Sequence, residues 1–355
     1  MSEDLTLVIG NRIISGWQSV RLTRGIERCP NDFDIAFTEL FPGEAADLII
    51  QPGDACTVFI GGDLVVTGYV DKFHPAITPT SHMIRVTGRG KCQDLVDCAA
   101  EWPGGQISGS SALQIAQKLA MPYGISVSAT EADVGPVIPQ KNLILTETAY
   151  EIIERICRFR GLLCYELPDG SLFLTDVGTT SAASGFTQGQ NVQEASIEYS
   201  MDQRYSEYHC FLQSVDTFND VGGSGNLLGI GRDPGVPRNR KMSLISEGGG
   251  LGNDVCIRRA VWESVRRLGR ANRLVLKTDS WRDSAGALWT PNTLVPLSLP
   301  VLKIEQVNWL IGEVTYKRDE YGTTANLVIM PPAAFIPQPI VYQQFMPDVP
   351  IGTQQ

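Results

Sequence analysis

The feature that most limits how this chain can fold is a duplicated block. SALQIAQKLAMPYGISVSA (111–129) and TAYEIIERICRFRGLLCYE (148–166) lie in register at a constant offset of 37 residues. Ala112, Leu113, Ile115, Ala116, Leu119, Ala120, Gly124 and Ile125 match Ala149, Tyr150, Ile152, Ile153, Ile156, Cys157, Gly161 and Leu162. The apolar positions recur at helical spacing, and each glycine falls where a helix ends on a left-handed cap. A strand-like run follows each glycine, and PDGSLFLT (168–175) adds a turn and one more strand. The block predicts a small α/β domain of two similar packing units, inserted over residues 101–189.

The chain around this block reads as β. CTVFI (56–60) and LVVTGYV (64–70) flank Gly61-Gly62-Asp63, a tight hairpin signal. MIRVT (83–87) alternates between two faces, and LTLVI (5–9) and FDIAF (33–37) are further strand candidates. They predict a first small β-barrel unit over 1–100, completed by about 190–215. TLVPLSL (293–299), NWLIGEVTYK (308–317) and ANLVIMPP (325–332) repeat the rhythm of the first region, so a related second unit is predicted over 190–340. Within it, VGGSGNLLGIGRDPGVPRNR (221–240) reads as a mobile loop from its Gly, Pro, Asn and Arg content. DVCIRRAVWESVRRLGR (254–270) is an additional amphipathic helix, with Ile257, Val261, Val265 and Leu268 on one face. Residues 341–355 should form an extended, proline-rich tail. The fold class is then α+β, mainly β, and 35 glycines and 21 prolines in 355 residues agree with a turn-rich β protein.

Net charge bounds the partners. At −10, the chain has no general electrostatic pull towards nucleic acid or an anionic membrane. No apolar run is long enough to span a bilayer, and MSEDLTLVIG lacks the basic start of a secretory leader. No membrane insertion is therefore expected. The eight cysteines are scattered without a tight CxxC pair and read as small buried hydrophobes of a chain made in a reducing cytoplasm.

GRGKCQDLVDCAA (88–100) looks like chemistry at first sight, because a glycine and lysine stand between a strand and a short helix. A phosphate loop would need a glycine at 85 and a hydroxyl at 92, where the chain has Arg85 and Cys92. Cys92 and Cys98 are too far apart for one arm of a zinc site. His74, His82 and His209 come with no nucleophile elbow. Asp202 and Glu207 could be paired acids, but any acidic protein offers such pairs. GIGRDPG (229–235) lacks the strand and helix of a dinucleotide site. No catalytic residue, metal site or cofactor is expected. The better reading of 88–100 is a structural corner, with Arg89 and Lys91 placed to pair with Asp94 and Asp97. The arginines of the last helix, Arg259, Arg266, Arg267 and Arg270, are either a solvated face or a contact for DNA phosphates or an acidic partner.

Thr67-Gly68-Tyr69-Val70-Asp71, then VTGRGKCQDLVDCAA (86–100), then RYSEY (204–208) resemble the baseplate hub proteins of Mu-like phages and prophages, of the late-control D type. The likeness runs in order over most of the chain. One departure is Gly90, where the family usually has an acidic residue. The resemblance implies a homotrimeric ring in the baseplate of a contractile tail. The ring would lie between the tail tube and a central spike, among other baseplate proteins, with DNA only as passing cargo and no catalysis. A cell-wall hydrolase attached to a hub and a carbohydrate-binding β module are the alternatives.

Overall fold

The structure, a computed structural model, describes residues 4–38, 50–79, 82–130, 137–213, 226–246 and 253–336. The first β region supplies β1 (Leu5–Ile9), β2 (Arg12–Ile14), β3 (Ser19–Gly25), β4 (Asp32–Thr38), β5 (Ala55–Ile60), β6 (Asp63–Ile77) and β7 (His82–Gly90). They pair in the order β3-β4-β7-β6-β5-β1-β2, every neighbour antiparallel. Strand alternation puts Leu22, Ile35, Val58 and Val86 on the inner face, all fully buried.

A short helix, α1 (Gln93–Asp97), leads into the α/β domain: β8 (Gln106–Ser110), α2 (Ala112–Ala120), β9 (Val127–Ala129), β10 (Ile138–Asn142), α3 (Ala149–Arg160), β11 (Leu163–Glu166) and β12 (Leu172–Thr175). The 37-residue repeat extends to the helix caps. Ser111 caps α2 in a reciprocal box with Gln114, and Thr148 caps α3 in the same box with Glu151. Gly124 and Gly161 take left-handed conformations, at φ 61° and 72°, where the chain turns towards β9 and β11. β9 and β11 flank β12, one parallel and one antiparallel to it. Ile115, Leu119, Ile152, Ile153 and Leu172 close the core between helices and sheet.

The second β region holds β13 (Phe186–Thr187), β14 (Glu194–Tyr199), β15 (Glu207–Gln213), β16 (Asn226–Arg232), β17 (Lys241–Ser246), α4 (Asn253–Arg270), β18 (Asn272–Thr278), β19 (Leu294–Leu299), β20 (Ile304–Asp319) and β21 (Gly322–Met330). Its main sheet runs β14-β18-β21-β20-β19, with β13 beside β19. Strand for strand this is the order β3-β4-β7-β6-β5 of the first region, with the same sequence order and the same antiparallel sense.

The two regions are not separate closed barrels. β3 pairs with β20, Val20 to Gly25 against Arg318 to Glu313, and joins both into one open sheet. No pairing closes that sheet among the described residues. One core lies beneath it, in which Leu22, Val58 and Val86 share a cluster with Leu276, Trp281, Val314 and Leu327. Residues 190–213, the described part of 190–215, do not return to the first unit: β14 pairs with β18, and β15 belongs to a separate small sheet, β16-β15-β17.

The expected loop at 221–240 is partly strand. Residues 226–232 form β16, and the rest of its first portion, 221–225, lies outside the described residues. The glycines serve contact rather than freedom. A Cβ on Gly229 would stand 2.1 Å from the Cys256 backbone, and one on Gly231 would stand 2.4 Å from the Ala260 carbonyl. Helix α4 thus packs backbone to backbone on this strand through Cys256 and Ala260. That rotation leaves Ile257, Val261, Val265 and Leu268 outside, between 40% and 46% exposed, although their spacing reads as a core face. The tail at 341–355 lies outside the described residues.

Candidate functional site

At the strand-to-helix corner, Arg89, next to the last residue of β7, reaches two acids. Its Nε donates to Asp71 at 2.7 Å and its Nη2 to Asp97 at 2.8 Å. These bonds hold its guanidinium well above the ordinary arginine value. Asp71 is an unforeseen partner, although it lies on β6 directly beside the strand that carries Arg89. Lys91 does not reach an aspartate: its Nζ donates to the Gly124 carbonyl at 2.5 Å, tying the corner to the cap of α2. Burial and the adjacent Asp97 push the Asp94 carboxyl up, so this group is not a simple ion-pair partner. Arg89 is 34% exposed at its side chain, with Asp71 at 25% and Asp97 at 48%. The brace is therefore half-solvated.

Beneath the corner lies a buried acid. Glu166 closes β11, an otherwise apolar strand, and is 2% exposed. One carboxylate oxygen accepts the Asn31 N–H and the other the Cys92 N–H, both at 2.8 Å, while Asn31 Nδ2 donates to the Glu166 carbonyl. Burial pushes this carboxyl up to about 7 against the pull of the two backbone donors. Gly90 faces it: a Cβ there would come within 1.9 Å of Glu166 Oε2. The carboxylate of Glu166 fills the space that a side chain at 90 would need. An acid supplied from β11 thus stands where the resemblance leads one to expect an acid on β7.

Four of the five arginines of α4, Arg259, Arg266, Arg267 and Arg270, turn inward to acids. Arg267 Nε donates to Glu263 at 2.6 Å, and its Nη1 to Gln203. Arg270 pairs with Glu27 and donates to the Ala334 carbonyl at 3.2 Å. Arg266 lies 3.7 Å from Glu27, and Arg259 lies 3.7 Å from Glu263. Arg259 and Arg266 also flank the Trp262 ring, at 4.9 and 5.4 Å from its centroid. Burial pushes both guanidinium groups down. This is a brace between α4, the β3–β4 turn and the 332–336 segment, not a row of free cations.

Besides the outer sides of the short end strands β2 and β13, the sheet carries two longer unpaired stretches among the described residues. β14 is bonded on one side by β18 and ends the sheet. β6 is bonded by β7 to its end, but β5 leaves its other side at Tyr69. Tyr199 on β14 is 57% exposed and Ile77 on β6 is 83% exposed. Open strand edges of this length are assembly surfaces or liabilities. No helix among the described residues is long and apolar enough to cross a membrane.

Comparison with known proteins agrees with this architecture over most of the chain. Three family models match: "Mu phage baseplate assembly protein GpP-like, N-terminal" over residues 4–90, "Baseplate hub protein gp44-like, second domain" over 92–176, and "Mu phage baseplate assembly protein GpP, fourth domain" over 253–338. The baseplate hub protein gp44 of Escherichia phage Mu is 31% identical over 345 residues, 95% of this chain and 90% of that protein. The 43 kDa tail protein of prophage MuSo2 from Shewanella oneidensis superimposes with a TM-score of 0.84 at 30% identity, over 94% of this chain and 99% of its own. A component of the Escherichia coli type VI secretion system, c3393, described as structurally similar to the T4 tail proteins gp27 and gp5, shares the fold. Its TM-score is 0.59 at 12% identity, over 92% of this chain and 76% of its own. With nearly a third of its residues shared with gp44 over 95% of its length, this chain belongs to the baseplate hub family of Mu-like phages, a structural and not an enzymatic family.

Proposed function

We propose that this chain is the repeating part of a homotrimeric hub ring, seated between tail tube and central spike, with a channel through which DNA passes. The observation that carries this reading is the doubling of one strand order, β3-β4-β7-β6-β5 and β14-β18-β21-β20-β19, joined edge to edge by β3 and β20. Three copies then offer six similar β units around one axis. Such a ring can meet a threefold spike on one side and a sixfold tube on the other without an adaptor. The fold shared with a protein that is itself likened to gp27 and gp5 supports a spike-facing role. A net charge of −10 suits a passage in which DNA must slide rather than bind.

In this reading the α/β domain over about 101–189 is an appendage of the ring. The corner of Arg89, Lys91, Asp94 and Asp97 fixes it to the first β unit, and the arginines of α4 brace the second unit internally through Glu263 and to the first through Glu27. Light scattering coupled to size exclusion is the test. It should give three times 38.8 kDa. A stable monomer at micromolar concentration, alone and after mixing with the cognate spike, would contradict the ring.

A further inference from the structure

The two β units differ in what their edges do. β3 is paired on both sides, by β4 and by β20. β14 holds the same place in the second unit and has only β18 among the described residues. β20 is lined by β21 on one side, while β19 takes the first half of its other side and β3 the second half. β6 is lined by β7 in the same way, and β5 takes the first half of its other side. Val70 is still held there by Gly53 and Asp54, and the second half, from Asp71 to Ile77, has no strand on that side among the described residues. The two open stretches are the counterparts of the two strands that meet inside the chain.

We infer that β14 of one copy adds antiparallel to the second half of β6 of the next copy, repeating between copies the β3–β20 junction present within each. This rests on the ring reading and names its contact. Closure follows from the repetition. If each junction turns one unit relative to the next by the same angle, three junctions inside chains and three between them complete one ring, through a heterologous contact.

The register follows from the structure. β6 and β20 each bulge against the next strand, at Asp71 and Gly312. Alignment of the bulges makes Gly88 the counterpart of Ile329, Phe33 that of Leu274, and Leu22 that of Ile197. The intrachain pairs Arg24–Val314, Leu22–Tyr316 and Val20–Arg318 then become Tyr199–Phe73, Ile197–Pro75 and Ala195–Ile77 between copies. Between them stand Glu198 opposite His74 and Ser196 opposite Ala76. One face of the new ladder pairs apolar with apolar side chains, and Phe73, Ala195 and Ile197 already pack against the core on that face. A slip of one residue would set Glu198 against an apolar partner. Pro75 has no N–H, so this ladder runs with one donor fewer than the β3–β20 junction.

Cross-linking tests the contact. Glu198→Cys and His74→Cys are both at exposed positions, and directly opposite strand residues lie within disulfide reach. Under mild oxidation the double variant should give a covalent trimer on a non-reducing gel. The two single variants control for native cysteines, and the pair Ile197→Cys with His74→Cys, one residue out of register, should not cross-link. A double variant that stays trimeric without cross-links overturns the contact and leaves the ring standing. A cross-link that closes within one chain also overturns it. A monomeric parent protein overturns the ring and this contact together.

Discussion

The two β units reach the same strand order by different routes. In the first, the chain passes from β3 to β4 through six residues, Ile26 to Asn31. In the second, the equivalent step from β14 to β18 carries a three-stranded sheet and an 18-residue helix. The order survives because strand pairing and the shared core specify it, whereas the length of a connection adds little to the cost of closing it. The edges differ as well. β3 is enclosed on both sides, and among the described residues its counterpart β14 is not. Equivalent positions in the two units should therefore respond unequally to the same change.

The largest inequality is expected at Leu22 and Ile197, which hold the same place. Leu22 is fully buried, and Leu22→Ala should destabilise the chain by about 2–5 kcal/mol. Ile197 is half-buried, and Ile197→Ala should cost about 1 kcal/mol or less in the dissociated chain. Urea denaturation of both variants measures the difference. Equal losses would mean that the β14 edge is as enclosed as β3 within one chain.

The ends of β7 and β21 sharpen the comparison. β21 runs into Pro331, whereas β7 ends at Gly90 against the Glu166 carboxylate. Gly90→Ala must displace a buried acid from two backbone donors, at about 3 kcal/mol. Combining it with Glu166→Ala should cost less than the sum of the single changes, because the clash is then gone. Additive losses would show that Gly90 is not confined by this carboxylate.

The same acid, set under the corner between the first unit and the α/β domain, gives the chain a pH response. The Glu166 carboxyl is raised from 4.5 to about 7, so the folded chain holds its proton more tightly than the unfolded chain. Its contribution is complete below about pH 4.5 and is lost as pH rises through about 7, to a total of about 3 kcal/mol. Glu166→Gln should flatten the stability profile over that window. A wild-type chain that gains stability there, with a Gln variant of unchanged slope, would contradict the assignment.

Arg89→Ala should have the smallest effect. The half-solvated brace to Asp71 and Asp97 is expected to contribute about 1 kcal/mol or less, and less again in high salt. A loss of several kcal/mol, insensitive to salt, would require a buried pair.

Local features were legible in the sequence, and long-range ones were not. The 37-residue repeat located α2 and α3, and the spacing of Arg89 and Asp97 foretold one of the two ion pairs. β19 to β21 were visible from their likeness to β5 to β7. The β3–β20 junction was not, because a pairing such as Thr23 with Thr315, 292 residues apart, leaves no local pattern. The orientation of α4 was not legible, because its apolar spacing resembles a core face while the true contact uses Cys256 and Ala260 on a glycine strand. Those glycines imitated a loop by composition. Glu166 had only one signal, an acid at the end of the apolar run LLCY, and its role depends on Asn31 and Cys92 from distant parts of the chain.

The equivalence of the two β units is tested most directly by images of the purified assembly viewed down its axis. The rotational power spectrum should show threefold symmetry with a strong sixfold component near the channel, where six β units stand. A threefold ring with no sixfold component around its channel, or particles with no ring at all, would contradict it.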